Sequence, residues 1–195
     1  MRKTNLFLAF FLLAAATLTA QTNWSVDKSH SKVGFSVSHL VITDVDGFFK
    51  EYDAKVTTSG DDFSTTNIDF TVNTSSIFTD NDGRDKHLRS DDFFNAEKFP
   101  QMVFKGKSMK KVSGNKYKLV GDLTIRDVTK QVELDVKYNG MVKDPRGNTK
   151  AGFKVTGEIN RFDYNLKWNT AIETGALVVG REVELVIDLQ LVKKS

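Results

Sequence analysis

The sequence predicts an all-β fold, a meander of eight long antiparallel strands, and three observations carry that prediction. Apolar and polar residues alternate with period two over most of the chain, as in strands buried on one face and wet on the other. Breaks of turn composition, rich in Gly, Asn, Asp and Ser, separate the alternating runs. No long stretch carries a 3.6-residue period, and no internal repeat or low-complexity linker interrupts the pattern.

Residues 1–20 stand apart from that pattern. "MRKTNLFLAFFLLAAATLTA" sets Arg2 and Lys3 before an apolar run from Leu6 to Ala16, the composition of a secretory signal peptide. The run is short for a bilayer span, and a polar chain follows it. Cleavage is expected after Ala20, with Ala16 as the alternative. No cysteine follows to take a lipoprotein anchor. The expected organisation is a signal peptide at 1–20 and one domain at 21–195, periplasmic or secreted. Such a domain is long enough to bury a large core or enclose a cavity. Losing Arg2 and Lys3 takes Lys+Arg from 28 to 26 against 25 acids, a net charge of +1 that gives nucleic acid nothing to bind. A cysteine count of zero excludes disulfides, thiolate catalysis and cysteine-ligated metal.

A short opening strand is expected at 23–27. In "SKVGFSVSHLV" (31–41), Val33, Phe35, Val37 and His39 share one face while Gly34, Ser36 and Ser38 share the other. Strands follow at 48–57, 67–74 and 101–112. "KYKLVGDLTI" (116–125) aligns Tyr117, Leu119, Gly121, Leu123 and Ile125, and "KQVELDVKY" (130–138) aligns Val132, Leu134, Val136 and Tyr138. After a strand at 149–159, "REVELVIDLQLV" (181–192) sets Val183, Leu185, Ile187, Leu189 and Leu191 against Glu184, Asp188 and Gln190. The turns are "SGD" at 59–61, "SGN" at 113–115 and "DPRGN" at 144–148, where Pro145 presets φ and Gly147 supplies a positive one. Strands of this kind form a sandwich or a closed barrel, and closure removes exposed edges. An eight-stranded barrel holds packed side chains or one small ligand. The fifteen phenylalanines could fill the interior, while Ala54, Gly121 and Gly157, small residues on inward registers, permit space inside.

Two segments do not alternate. "DNDGRDKHLRSDDFF" (80–94) invites a calcium loop through Asp80, Asp82, Gly83 and Asp85. Placing Gly83 sixth in that loop makes Phe78 the first ligand and Arg89 the twelfth, and neither can serve. A short helix through "GRDKHLR" capped by Asp80 or Asp82 fits better, with a further turn from Ser90 or Asp91 and anchorage by Phe93, Phe94 and Phe99. The second segment, 161–180, has Leu166, Trp168, Ile172, Leu177, Val178 and Val179 without a steady period. It reads as a loop crossing a barrel end.

Candidate chemistry is sparse. His30, His39 and His87 show no metal-ligand spacing, so no metal or other cofactor is expected. His39 closes an inward alternation and reads as a satisfied interior or rim histidine, or else as a group that meets a ligand head at a barrel mouth. No "GxSxG" elbow or phosphate-cradling glycine loop occurs, and no catalytic residue is assigned. The lysines of "KGKSMKKVSGNKYK" (105–118) read as a solvated hairpin whose charge blunts a strand pair, or as a weak contact for an anionic membrane surface.

Five stretches together resemble the YceI-like family of exported lipid-binding proteins: "WSVDKSHSKVGFSVSHL" (24–40), "GFFKEYDAKV" (47–56), "SSIFTDNDGRDKHLRSDDFFNAEKFPQMVF" (75–104), "GDLTIRDVTKQVEL" (121–134) and "AGFKVTGEINRFDYNL" (151–166). The chain departs from the family pattern at Asp127 and Asn165, where glycine is usual. Asp and Asn best replace glycine in a left-handed turn. A lipocalin proper is not matched, because "NWS" stands around Trp24 in place of "GxW".

The resemblance implies a lipocalin-like eight-stranded antiparallel barrel with a helical excursion and an apolar channel for an isoprenoid or other long-chain lipid. It implies a carrier, not an enzyme. The lining expected from inward registers is Phe35, Val37, His39, Phe49, Tyr52, Ile68, Phe70, Val72, Phe104, Leu119, Leu123, Val136, Phe153 and Val155. Arg84, Arg89 and Arg161 are candidates for a polar head group. Transient membrane-surface contact and a homodimer are both left open. The competing functions are an enzyme processing a lipid or an oxidant, and a non-lipid interaction module for a membrane redox partner.

Overall fold

The computed structural model describes residues 21–171 and 173–194, so the expected signal peptide lies outside the described residues. The strands are β1 (Gln21–Val26), β2 (Lys32–His39), β3 (Thr43–Phe49), β4 (Tyr52–Ser59), β5 (Asp62–Asn73), β6 (Ile77–Phe78), β7 (Gln101–Ser113), β8 (Lys116–Ile125), β9 (Val128–Lys143), β10 (Thr149–Asn160) and β11 (Val179–Lys193), with one helix, α1 (Asp82–Arg89). All pairings are antiparallel. The ring runs β1, β4, β5, β7, β8, β9, β10, β11 and returns to β1, a closed eight-stranded barrel. Hairpins connect β7 through β10 in sequence, as the alternation and turn chemistry require, and the longer segment 161–178 leads from β10 to β11.

Closure departs from the predicted meander in one respect. β1 and β2 lie end to end along β11, pairing Trp24↔Lys193 and Val33↔Ile187, with a 3-10 turn at Lys28–His30 between them. The strand expected at 48–57 is likewise broken into β3 and β4. The break shows no glycine or proline, because it comes from the barrel's curvature: β4 pairs with β1 while β3 follows β2 out past the barrel end. The β2–β3 hairpin turns at Leu40 and Val41, both left-handed (φ 55° and 64°) although neither is glycine. The strand expected to run to Val41 therefore stops at His39.

Corner residues tie these broken strands to the ring. Asp27 caps the Lys28–His30 turn and accepts hydrogen bonds from Lys150 Nζ (2.9 Å) on β10 and Gln190 Nε2 (2.8 Å) on β11, with His30 Nδ1 at 3.1 Å. The Lys150 bond first, then those from His30 and Gln190, hold the Asp27 carboxyl well below the usual carboxylate range, with burial opposing. A carboxyl lowered in the folded state contributes stability above its unfolded pKa of about 4, and that contribution is lost as pH falls through the folded value. Asp27→Asn is expected to lose about 1–2 kcal/mol at pH 7 and to show a shallower decline of melting temperature below about pH 4 than the parent. Equal slopes in thermal melts across that range would contradict this role.

The two barrel ends are filled differently. At one end Trp24, Phe63, Tyr138 and Phe153 form an aromatic cluster, with Trp24–Phe63 centroids at 5.0 Å and Phe63–Phe153 at 4.8 Å. Trp24 is 1% exposed, and its Nε1 donates to Thr58 Oγ1 at 3.0 Å. At the other end the excursion between β5 and β7 folds over the opening, anchored by buried Phe93 and by Phe94 edge-on to Phe49 at 5.8 Å. Asn81 caps α1, accepting from Arg84 N at 2.9 Å; the neighbouring aspartates expected in that role do not. Asp80 instead takes the left-handed turn (φ 59°) that leads into the helix. Buried Asp85 accepts from Thr79 N (2.9 Å) and Thr79 Oγ1 (2.6 Å), binding the helix to its approach strand.

Candidate functional site

The inward faces of the ring strands do not meet at the barrel axis, and they enclose a cavity of ≈ 160 Å³. It extends from Phe49, Ile125 and Ile159 beneath the excursion to Phe63 and Leu191 beside the aromatic cluster. On β11 the wall runs from Leu185 to Leu191, which is about 20 Å of extended strand. Alternation explains the composition. Every second residue of β8, β9, β10 and β11 points inward, and those that reach the cavity are Leu, Ile, Val and Phe. Among the described residues the wall has no charged side chain and a single hydroxyl, Thr66, whose Oγ1 donates to the Phe63 carbonyl. Water gains no hydrogen bonds there, and cavities of this size and lining stay dry and take up apolar molecules.

Of the residues expected to line it, Phe35, Phe49, Ile68, Phe70, Val72, Phe104, Leu119, Leu123, Val136, Phe153 and Val155 stand on the wall. Val37, His39 and Tyr52 do not. Val37 and His39 share the face of Phe35 but belong to the part of β2 that extends past the ring, where His39 pairs with Val179 and Thr43. Tyr52 is buried, stacks on Phe70 at 6.1 Å and donates its hydroxyl to the Ser31 carbonyl at 2.7 Å. Burial, followed by the charge of Asp27, pushes its phenol pKa upward.

The small inward residues also divide. Ala54 lines the cavity, whereas Gly121 and Gly157 do not. A Cβ at Gly121 would lie 2.3 Å from Phe104 Cζ, and one at Gly157 2.5 Å from Leu134 Cδ2. The space these glycines leave is taken by the neighbouring strand's side chain, so their smallness serves packing.

None of the three candidate head-group arginines faces the cavity. Arg84 donates to Thr79, through Nε to Oγ1 at 2.7 Å and through Nη2 to the carbonyl at 2.5 Å. Arg89 reaches the carbonyls of Ser75 and Ile77 at 3.4 Å each. Arg161 is 3% exposed and donates to four carbonyls: Gly180 (2.8 Å), Leu166 (2.7 Å), Trp168 (2.8 Å) and Val179 (3.1 Å). It holds the loop expected across the barrel end. Burial lowers the Arg161 pKa. His87 pairs with Asp92 (2.8 Å) and meets Phe93 and Trp168 edge-on, while His30 belongs to the Asp27 corner. Among the described residues no group of three or more His, Cys, Asp or Glu could hold a metal ion.

Sequence reading missed Arg126, whose Nη1 donates to the carbonyls of Asp91 (2.9 Å), Phe93 (2.7 Å) and Asn165 (3.1 Å). It fastens the excursion to the 3-10 turn at Arg161–Tyr164, and its own φ is 53°. Asn165 is left-handed as expected (φ 61°), but Asp127 is not; the left-handed residue of that turn is Arg126. The two departures from the family pattern nevertheless meet, Asn165 Nδ2 donating to Asp127 Oδ1 at 3.1 Å, and this bond lowers the Asp127 pKa. Two polar side chains at neighbouring turns replace two glycines with a contact between them.

Comparison with known proteins matches this architecture. The sequence fits the YceI-like domain over residues 24–191. It is 40% identical over 164 residues to a UPF0312 protein of Staphylococcus aureus, covering 84% of this chain and 93% of that protein. The crystal structure of the Campylobacter jejuni YCEI protein, 35% identical, superimposes with a TM-score of 0.68 over 87% of this chain and 97% of that one. Burkholderia cenocepacia BcnA, 22% identical, shares the fold with a TM-score of 0.73 over 85% and 98% of the two chains. A polyisoprenoid binding domain from Saccharophagus degradans, 17% identical, shares it with a TM-score of 0.63 over 88% and 98%. With the barrel, the helical excursion and the sequence match agreeing, the chain belongs to the YceI-like family.

Proposed function

We propose that this protein is an exported carrier of a long-chain isoprenoid, such as a polyprenyl chain or an isoprenoid quinone, or of a related lipid held in the barrel. One observation carries the reading: an elongated cavity at which, among the described residues, the one wall hydroxyl is satisfied by the protein and the other wall side chains are apolar. Burying an alkyl or isoprenoid tail there gains ~25 cal/mol per Å² of apolar area, less the cost of ordering the chain. Binding should be indifferent to hydrogen-bond pattern along the tail, because the wall offers none. The fold shared with a polyisoprenoid binding domain supports the same ligand class. Export follows from the composition of residues 1–20, and the lysines of 105–118 would favour an anionic membrane surface by about 1 kcal/mol for each one engaged.

Catalysis is not part of the proposal. The titratable side chains stand outside the cavity wall, and the histidines are committed to capping and packing roles or lie beyond the ring. Mass spectrometry of an organic extract of the exported protein is expected to show a lipid with a long apolar tail at close to one per chain. No lipid in the extract, together with no binding of added polyprenyl chains, would overturn the reading.

A further inference from the structure

The barrel wall is not uniformly paired. β5 is twelve residues long and β7 thirteen, yet their ladder runs only from Asp69↔Lys105 to Asn73↔Gln101. Beyond it, residues 62–68 stay with β4 and residues 106–113 stay with β8. Among the described residues no backbone ladder joins these two edges. β7 also shifts register between Gly106 and Ser108 and again between Lys111 and Ser113, irregularities that bend a strand away from its neighbour.

This seam lies over the cavity. Phe63, Thr66 and Ile68 on the β5 side and Met109 on the β7 side border it, and all four line the cavity wall. The single wall hydroxyl therefore sits where the wall is unpaired. Lys107, Lys110 and Lys111 follow the free edge of β7 and are exposed, a pattern that keeps an unpaired edge wet and discourages strand addition.

The other boundaries of the cavity carry specific contacts. The aromatic cluster around Trp24 fills one end, and the Arg126 and Arg161 hydrogen bonds fasten the segments over the other. A second break in the wall, where β1 gives way to β2, is bridged by the Tyr52 hydroxyl on the Ser31 carbonyl. Widening the β5–β7 seam breaks no ladder bonds, so it costs less than parting two paired strands of the ring.

We propose that the unpaired seam between β5 and β7 is the passage through which an apolar tail enters and leaves the cavity. This rests on the lipid-binding reading and adds the route. The tail slides in sideways between strand edges, with Thr66 and Met109 at the threshold, and no barrel end has to unfold.

The chain has no native cysteine, so thiol chemistry can test the route cleanly. Thr66→Cys would be labelled with a bulky maleimide, and Ile42→Cys, at the 83% exposed hairpin tip beyond the opposite end, would carry the same label as control. The probe is a polyene fatty acid whose fluorescence rises on burial, with its uptake rate followed by stopped flow. Labelled Thr66→Cys is expected to take up the probe at least tenfold more slowly than its unlabelled form, and labelled Ile42→Cys within twofold of its own.

A second variant guards against misfolding of the first. Ile68→Cys with Gly106→Cys joins positions where a Cβ at 106 would stand 3.1 Å from the Cβ of 68, close to disulfide reach. The oxidised form should be slow and the same sample fast again after reduction. Uptake slowed by neither the Thr66 label nor the disulfide, or slowed by the Ile42 label, removes the passage and leaves lipid binding standing. No uptake by the unmodified protein removes both.

Discussion

Arg161→Met is expected to lower the free energy of unfolding by about 3–5 kcal/mol, the largest effect of any single substitution outside the hydrophobic core. The side chain is 3% exposed, and its donors satisfy the carbonyls of Leu166, Trp168, Val179 and Gly180. Methionine can fill part of the volume but leaves those carbonyls without their donor. Arg161→Lys should rescue little, because one ammonium cannot span the directions that a planar guanidinium covers, and Phe162 loses the guanidinium 4.3 Å from its ring. Urea unfolding measures the stability, and hydrogen exchange over 165–180 measures the local consequence. Unchanged protection of that loop in Arg161→Met would show that other contacts hold it.

Ala54→Phe is expected to have the largest effect on ligand. Ala54 lines the cavity from β4, and a phenyl group there occupies the space that a tail would fill. Excluding a few apolar carbons from burial removes about 2 kcal/mol of binding, roughly a thirtyfold loss of affinity. Stability should change less, since Ala54 borders the cavity and the added ring is accommodated there. Lipid recovered per chain from the purified variant, compared with the parent, reads the effect. Full loading of a folded Ala54→Phe barrel would place the ligand elsewhere.

These two residues differ in how readable they are from sequence. Ala54 falls on an inward register of an alternating strand, and period two places it inside whatever the details of closure. Arg161 looks like a charged residue at a strand end, and such residues usually face water. Its four acceptors are backbone carbonyls in a segment without pattern, and carbonyls leave no trace in a sequence. Arg126 escaped notice for the same reason, since its partners are carbonyls of the excursion and of Asn165.

The lining shows a similar division. Eleven of the fourteen residues expected on the wall stand there, because alternation fixes which face of a strand is buried. Val37 and His39 have the right face at the wrong height, a distinction that depends on where along β11 the ring ends. Tyr52 has the right burial, but its hydroxyl draws the side chain to the Ser31 carbonyl. Gly121 and Gly157 have inward registers, yet whether a small residue leaves a void or receives a neighbour depends on the strand beside it.

The sequence by itself determined the all-β class, the turns from β7 to β8 and from β9 to β10, the apolar inner face and the family, because each is written in local spacing or in ordered motifs. Tertiary structure alone decided that β1 and β2 share one edge of β11, that the candidate arginines bind carbonyls, and that β5 and β7 part company after Asp69 and Lys105. Strand periodicity specifies a face and leaves open how far a strand stays paired. That depends on the curvature needed to close eight strands into a ring, which belongs to the whole barrel and to no single segment.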